Sequence, residues 1–335
     1  MDFKGSSILS INQFERPDIE ELFRIADAME PYAQRRKKTR VLEGAIMGSM
    51  FFEPSTRTRI SFGSAFNLLG GDVRETTGME ASSLVKGESL ADTARVLSGF
   101  SDIICMRHPN AGSVAEFAAA SRVPVINGGD GDNEHPSQAL LDLYTIGKEL
   151  SARGRAIDGL RIAMIGDLRY GRTVHSLCNL LSLFKNVSVH LVSPPELAMP
   201  EEYLHVLRAS GAEVIVSDKL QPGISHVDIV YSTRIQEERF PSRDEADIYR
   251  GRFRLNNAIY TEYCEPNTVI MHPLPRDSRG EANELDSDLD ANPNLAIFRQ
   301  TDNGLLVRMA LFAVILDVVN LISKYDEPVN WYNSR

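Results

Sequence analysis

Gly44 to Gly71 reads GAIMGSMFFEPSTRTRISFGSAFNLLGG. Ala45 to Phe52 is short, apolar and rich in Met, bounded by Gly44 and by Glu53-Pro54, the pattern of a strand buried on both faces. From Ile60 the period changes. Ile60, Gly63, Ala65-Phe66 and Leu69 fall on one helical stripe, which Gly70-Gly71 stops. Between them, Pro54-Ser55-Thr56-Arg57-Thr58-Arg59 puts hydroxyls where an N-cap belongs and two guanidiniums in the first turn. The helix dipole already places positive charge at that end, so cations there suit a bound anion held by backbone N–H groups, hydroxyls and guanidinium. A capped helix with solvated arginines is the plain alternative.

The strand-turn-helix unit recurs on both sides of this stretch. Asp18 to Ala33 carries Ile19, Leu22-Phe23, Ala26 and Met29 on one face, an amphipathic helix that precedes the strand. After it, strands are predicted at 71–76, 102–106 and 123–127, with helices at 89–100 and 113–121. Four alternating units make a parallel α/β domain. The turn-rich 128–136 (GGDGDNEHP) carries His135, and a helix over 137–150 holds the domain junction. A second series follows, with strands at 160–165, 187–192, 213–217, 228–232 and 268–271 and a first helix at 173–184. Ligands of such sheets bind at the carboxyl ends of the strands. Arginines recur there: Arg57, Arg107, Arg172 and Arg234 each follow a predicted strand. A lone one is an ordinary solvated loop residue; the repetition points to clefts that take anions.

Composition limits the alternatives. A chain of 335 residues suits two domains, and 43% hydrophobic with 24% charged residues is globular composition. The formal charge of −10 argues against nucleic acid or an anionic membrane as partner, and makes local arginine clusters more telling. Cys105, Cys178 and Cys264 are scattered and odd in number, without metal-ligand spacing, and read as buried thiols of a cytoplasmic protein. The N-terminus lacks the apolar core of a signal peptide. The apolar Leu305 to Ile322 contains Arg308 and Asp317, which makes it a packed helix rather than a membrane span.

Phe52-Glu53-Pro54-Ser55-Thr56-Arg57-Thr58 resembles the carbamoyl-phosphate signature of the aspartate and ornithine carbamoyltransferases, and the similarity continues along nearly the whole chain. The resemblance implies an α/β protein of two doubly wound parallel-sheet domains joined by helices. Residues 1–140, with a C-terminal helix at about 305–325 packing back on them, would bind carbamoyl phosphate, and 150–300 would bind aspartate. It assigns Ser55, Thr56, Arg57 and Thr58 to the phosphate, and Arg107 to phosphate and carbamoyl oxygen. His135 would donate to that oxygen and Gln138 would hold the amide. Ser82 and Lys86 correspond to a loop that reaches the site of a neighbouring subunit in a homotrimer.

Arg172, Arg234 and Gln236 resemble the ligands of the aspartate carboxylates, with Lys86 joining them. The backbone carbonyl of Leu274, before an expected cis bond to Pro275, would receive the substrate amine. Thr58, Arg107 and His135, with Arg57, form the implied catalytic set, stabilising charge on the carbamoyl oxygen as the amine attacks, with no metal and no organic cofactor. The implied setting is cytoplasmic pyrimidine biosynthesis, and the family leaves room for a separate regulatory chain. Ornithine, or another amino acid, is the rival substrate. Two guanidiniums suit a dicarboxylate better, and Pro273 stands where the ornithine enzymes carry Cys. An inactive scaffold relative is a further reading, and a dinucleotide module a weaker one, since Gly166 to Arg172 lacks the three-glycine spacing. Asp277 to Glu284 departs from the usual family sequence.

Overall fold

Ile46–Phe51 is one of the two inner strands of a four-stranded parallel sheet. The computed structural model describes residues 1–78, 87–277, 279 and 283–331. In chain order the first unit contains α1 (Arg16–Ala28), α2 (Glu30–Ala33), β1 (Lys37–Thr39), β2 (Ile46–Phe51), α3 (Thr56–Leu68), β3 (Asp72–Thr77), α4 (Leu90–Leu97), β4 (Ile103–His108), α5 (Ser113–Ala120) and β5 (Val125–Asp130). The chain leaves this unit within α6 (Pro136–Ser151). The second unit, Leu141–Thr301, contains β6 (Arg161–Ile165), α7 (Arg172–Leu181), β7 (Ser188–Val192), α8 (Glu201–Ala209), β8 (Glu213–Ser217), α9 (Leu220–Ile224), β9 (Ile229–Ser232), α10 (Arg243–Asp247), α11 (Asn257–Tyr263) and β10 (Val269–Met271). Within α12 (Ile297–Ile315) the chain returns to the first unit, Met1–Leu140 with Asp302–Arg335, and ends with β11 (Asp326–Pro328).

Both main sheets are parallel throughout. The first runs β3-β2-β4-β5 and the second β10-β9-β6-β7-β8. Strand order therefore reverses between β2 and β4 in one sheet and between β6 and β9 in the other. Such reversals open a crevice at the carboxyl edge, because the flanking connections leave toward opposite faces. The core of the first sheet includes Met50, Ile104, Met106, Phe117 and Val125; that of the second includes Ile165, Val192, Val230, Ile270 and Leu285.

The C-terminal helix packs on the first unit as the resemblance implied, through an aromatic cluster. Phe312 is fully buried, with its ring 5.9 Å from that of Phe62 and 5.0 Å from that of Phe66 on α3, both edge-on. Edge-on pairs of this kind contribute roughly 0.5–1.5 kcal/mol beyond burial. Arg308, inside this apolar helix, donates to Ser61 Oγ at 2.9 Å and lies 4.9 Å from the Phe62 ring centre. No single helix among the described residues is long and apolar enough to cross a membrane; the bent pair Ile297–Ile315 and Val319–Tyr325, which turns through 108°, is an apolar pair by composition.

Several boundaries differ from the sequence reading. The first helix breaks at Met29, where Pro31 cannot supply an N–H, giving α1 and α2. α12 starts at Ile297 rather than near 305 and stops at Ile315, before a 3₁₀ segment. β1 and β11 have no counterpart in the sequence reading. They pair antiparallel, Lys38 opposite Glu327, with Lys37 Nζ 2.7 Å from Asp326 and Lys38 Nζ 2.7 Å from Glu327. Three-residue strands of mostly charged residues carry no apolar alternation to reveal them. Ile8, fully buried, bridges to Ile126 and so covers the β5 edge of the first sheet.

Candidate active site

Phe51 at the end of β2 lies opposite Arg107 near the end of β4, so the chain after each strand emerges at the first sheet's reversal. Ser55 takes the N-cap position of α3 in an extended conformation, and its side chain makes no capping hydrogen bond. No acidic residue lies in the first turn of α3, whereas α4, α5, α8 and α10 each carry one there. Thr56 and Arg57 are exposed, Ser55 is half-buried and Thr58 buried. Of the two guanidiniums of this turn, Arg59 is tied to Glu75 on β3 at 2.9 Å.

Arg107 is held by neighbours. Its Nε donates to Glu53 at 2.9 Å and one terminal nitrogen to the Gly128 carbonyl at 3.4 Å. The register of β4 against β5 slips between Met106 and His108, around this residue. A charge-assisted bond from Nε fixes the plane of the guanidinium. His135 is buried at the start of α6, where its carbonyl accepts the N–H groups of Gln138 (3.0 Å) and Ala139 (3.2 Å). Gln138, one turn on, is half-buried.

The loop that carries His135 is organised by Asn127 and Asp130, which sequence reasoning missed. The Asp130 carboxylate accepts from Asn127 Nδ2 (2.9 Å), Gly112 N–H (2.9 Å), Asn133 Nδ2 (3.0 Å) and Glu134 N–H (3.2 Å). Gly131, at φ +55°, fits there because a Cβ would stand 2.8 Å from Ala111 N and 2.9 Å from Pro109 O. His108 is also buried and structural: its Nδ1 accepts the Asn110 N–H at 3.1 Å, and desolvation holds its pKa below the usual imidazole value.

The second sheet repeats the arrangement. Arg172 is the first residue of α7, half-buried, behind Gly171, and that helix too has no acid in its first turn. Arg234 and Gln236 follow β9 and are half-buried. Asp167, fully buried, staples the two loops: its carboxylate accepts the N–H groups of Tyr170 and Gln236, each at 3.0 Å. Burial pushes its pKa up, opposed by those donors and by Arg234. Gly166, at φ +110°, lets the first loop touch the second; a Cβ there would stand 2.3 Å from the Thr233 carbonyl oxygen. His175 lies on α7 and is buried. Here its Nε2 lies 2.8 Å from the Leu168 carbonyl and its ring stacks on Tyr203, which fixes the same loop.

After β10, His272-Pro273-Leu274-Pro275 contains a cis Leu274-Pro275 bond, and Leu274 adopts φ +58°. In the departing segment, Arg279 pairs with both Asp277 and Glu237 at 2.6 Å; residues 278 and 280–282 lie outside the described residues. Ser82 and Lys86 also lie outside them. The thiols of Cys178 and Cys264 are pushed up to about 12 by burial, and that of fully buried Cys105 higher still, so none is a ready nucleophile. Among the described residues no group of three or more His, Cys, Asp or Glu is arranged for a metal ion.

Two family models cover nearly the whole chain. The aspartate/ornithine carbamoyltransferase carbamoyl-P binding domain matches residues 6–148, and the Asp/Orn binding domain of the same family matches 158–315. The chain belongs to the aspartate/ornithine carbamoyltransferase family. It is 75% identical over 335 residues to the aspartate carbamoyltransferase catalytic subunit of Saccharophagus degradans, covering 100% of this chain and 99% of the relative. The protein of the same name from Cellvibrio japonicus is 73% identical, again over 100% and 99%. Among solved structures, the aspartate transcarbamoylase of Trypanosoma cruzi in complex with carbamoyl phosphate and aspartate superposes with a TM-score of 0.85 at 39% identity, covering 94% of this chain and 98% of that one. The complex of the same enzyme with N-(phosphonacetyl)-L-aspartic acid gives 0.85 at 39%, over 94% and 97%. In this member of the carbamoyltransferase family, Arg57 and Arg107 stand at the strand-order reversal of the first sheet, and Arg172 and Arg234 at that of the second.

Proposed function

We infer that the chain transfers the carbamoyl group of carbamoyl phosphate to the amine of L-aspartate, giving N-carbamoyl-L-aspartate and phosphate, a step of pyrimidine biosynthesis. The observation that carries this reading is the pair of reversals, each with an arginine in the first turn of an acid-free helix and a second arginine on the neighbouring strand or loop. The relatives' names and their ligands, carbamoyl phosphate and aspartate, support it.

In the first unit Ser55, Thr56, Arg57 and Thr58 hold the phosphate, whose charge approaches −2 above a pKa of ~6. Thr58, Arg107 and His135 donate to the carbamoyl oxygen, and Gln138 holds the carbamoyl amide. In the second unit Arg172, Arg234 and Gln236 take the aspartate carboxylates, and the Leu274 carbonyl accepts a hydrogen bond from the amine. The neutral amine then attacks the carbonyl carbon. A C–N bond forms, the bond from carbon to the phosphate oxygen breaks, and the departing phosphate takes the amine proton. Charge that grows on the carbamoyl oxygen meets donors already in place, which is where the rate is gained. Ser82 and Lys86 complete the site from a neighbouring subunit of a homotrimer. The names of the relatives as catalytic subunits support an assembly, and three free cysteines support a cytoplasmic setting.

A substrate panel tests the reading: aspartate is carbamoylated in preference to ornithine, and the reverse preference overturns it. Arg57→Ala lowers kcat by ~10²–10³-fold, the scale of loss on removing one preorganised donor, here the clamp on the departing phosphate, with circular dichroism unchanged. Wild-type turnover in that variant removes the site assignment. Mass measurement of the purified particle decides between a trimer, a larger assembly and a monomer.

A further inference from the structure

Behind the His272–Pro275 loop lies a continuous buried chain of hydrogen bonds that the reaction as described does not use. The Leu274 N–H donates to His272 Nδ1 at 2.8 Å. That nitrogen is therefore an acceptor, so the ring proton sits on Nε2 and points at Glu284 Oε1, 2.7 Å away. The same Oε1 accepts the Asp277 N–H at 3.2 Å, with Oε2 at 3.3 Å. One buried carboxylate thus grips both ends of the loop, His272 at its start and Asp277 at its close.

The other side of His272 is fixed as firmly. Its backbone N–H donates to Gln300 Oε1 at 3.0 Å, and Gln300 Nε2 donates to Asp142 Oδ1 at 2.6 Å. Asp142 Oδ2 accepts from the Tyr231 hydroxyl at 2.6 Å. Each partner's chemistry leaves one orientation: a carboxylate only accepts, so the Gln300 amide must turn its oxygen to His272. His272, Glu284, Asp142, Gln300 and Tyr231 are all buried. Between these anchors Leu274 holds φ +58°, a conformation that a side chain beyond glycine adopts only where its surroundings enforce it.

We propose that Glu284 and His272 are positioning residues for carbamoyl transfer, which together aim the Leu274 carbonyl at the attacking amine. The proposal rests on the reading of Leu274 given under the proposed function. Asp142 and Gln300 set the height of the loop, while Glu284 sets its angle by holding the imidazole. A catalytic acceptor displaced by about 1 Å costs ~10²-fold in rate, so a support of this kind is felt without touching substrate.

The test is steady-state kinetics with both substrates on the full chain, comparing Glu284→Ala, Glu284→Gln, His272→Asn and the double variant Glu284→Ala with His272→Asn. Glu284→Ala is expected to lower kcat/KM for aspartate by ~10²-fold, while the KM for carbamoyl phosphate, bound by the other unit, stays at the wild-type value. Glu284→Gln recovers most of that loss, because its amide oxygen can replace Oε1 toward both donors. Asn at 272 can still accept the Leu274 N–H two residues on but does not reach residue 284, so His272→Asn moves aspartate kinetics alone. The double variant is no worse than the poorer single one, since the two act as one unit.

Unchanged aspartate kinetics in Glu284→Ala and His272→Asn overturn the proposal. So does a parallel rise in both KM values without rescue by Gln, which marks a merely structural pair. Should Glu284→Ala not fold, His272→Asn and Glu284→Gln decide by the same split. A wild-type chain that does not carbamoylate aspartate brings down the functional reading itself, a result distinct from active wild type with indifferent variants.

Discussion

Asp228, just before β9, accepts three donors at once. Its carboxylate takes the Arg161 N–H at 2.9 Å and the Arg161 guanidinium at 2.8 Å, and it pairs with Arg155. Burial alone would raise its pKa, but Arg161 and Arg155 hold it below the usual carboxylate range. The sign of the linkage follows. A depressed carboxylate stabilises the fold fully above the unfolded value of about 3.9, and that contribution is lost as pH falls through the lower folded value. Both guanidiniums are more than a third exposed, so solvent screening limits the contribution. Asp228→Asn is expected to cost about 1–2 kcal/mol at pH 7. Urea unfolding at pH 7 and at pH 3 reads it: the gap from wild type narrows at pH 3, and an equal gap at both would place the effect elsewhere. His108 has the same sign nearer neutrality. Burial depresses its pKa, so its contribution is intact above about 6.5 and declines as pH falls below it. His108→Asn flattens the Tm profile between pH 7 and 5 if this is right.

The elements that build each site are strand ends joined by close loop contacts, and Gly166 is where the contact is tightest. An alanine at this position meets the Thr233 carbonyl oxygen at 2.3 Å and must hold φ +110°. Gly166→Ala is expected to cost more than ~1 kcal/mol, the usual scale for a side chain forced to positive φ, because backbone has to move as well. Since that shift displaces the loops carrying Arg172 and Arg234, the KM for aspartate rises while that for carbamoyl phosphate does not. A denaturant midpoint equal to wild type contradicts the first part, and parallel changes in both KM values the second. The elements themselves were largely legible. Buried parallel strands are short apolar runs, and the helices after them carry their own stripe. Charged β1 and β11 were not, because their pairing depends on Lys37, Lys38, Asp326 and Glu327 meeting across nearly the whole length of the chain.

For the whole molecule, the formal charge of −10 sets the background against which its ligands bind. Under the proposed function, a phosphate and a dicarboxylate would find locally what the chain as a whole opposes, with binding energy concentrated in a few arginines. N-(phosphonacetyl)-L-aspartic acid, the ligand of the related Trypanosoma cruzi structure, joins both anionic halves in one molecule. It is expected to raise Tm at concentrations where equimolar phosphate plus aspartate does little. Saturation at 100 times its Kd corresponds to ~2.7 kcal/mol of added stability. Differential scanning fluorimetry checks this, and an equal shift from phosphate alone would remove the second half of the ligand from the site.

By itself the sequence determined the two α/β halves, the strand-turn-helix unit around Ser55 to Thr58 and the resemblance to the family. Those features are local: a hydrophobic period, a turn chemistry or a run of adjacent residues. Tertiary structure alone decided which arginine of the first turn pairs with Glu75, that Asp130 and Asp167 hold the site loops, and that Glu284 reaches back to His272. In each case a carboxylate meets donors that are distant in the chain, and nothing in a one-dimensional pattern says which buried acid will satisfy which N–H.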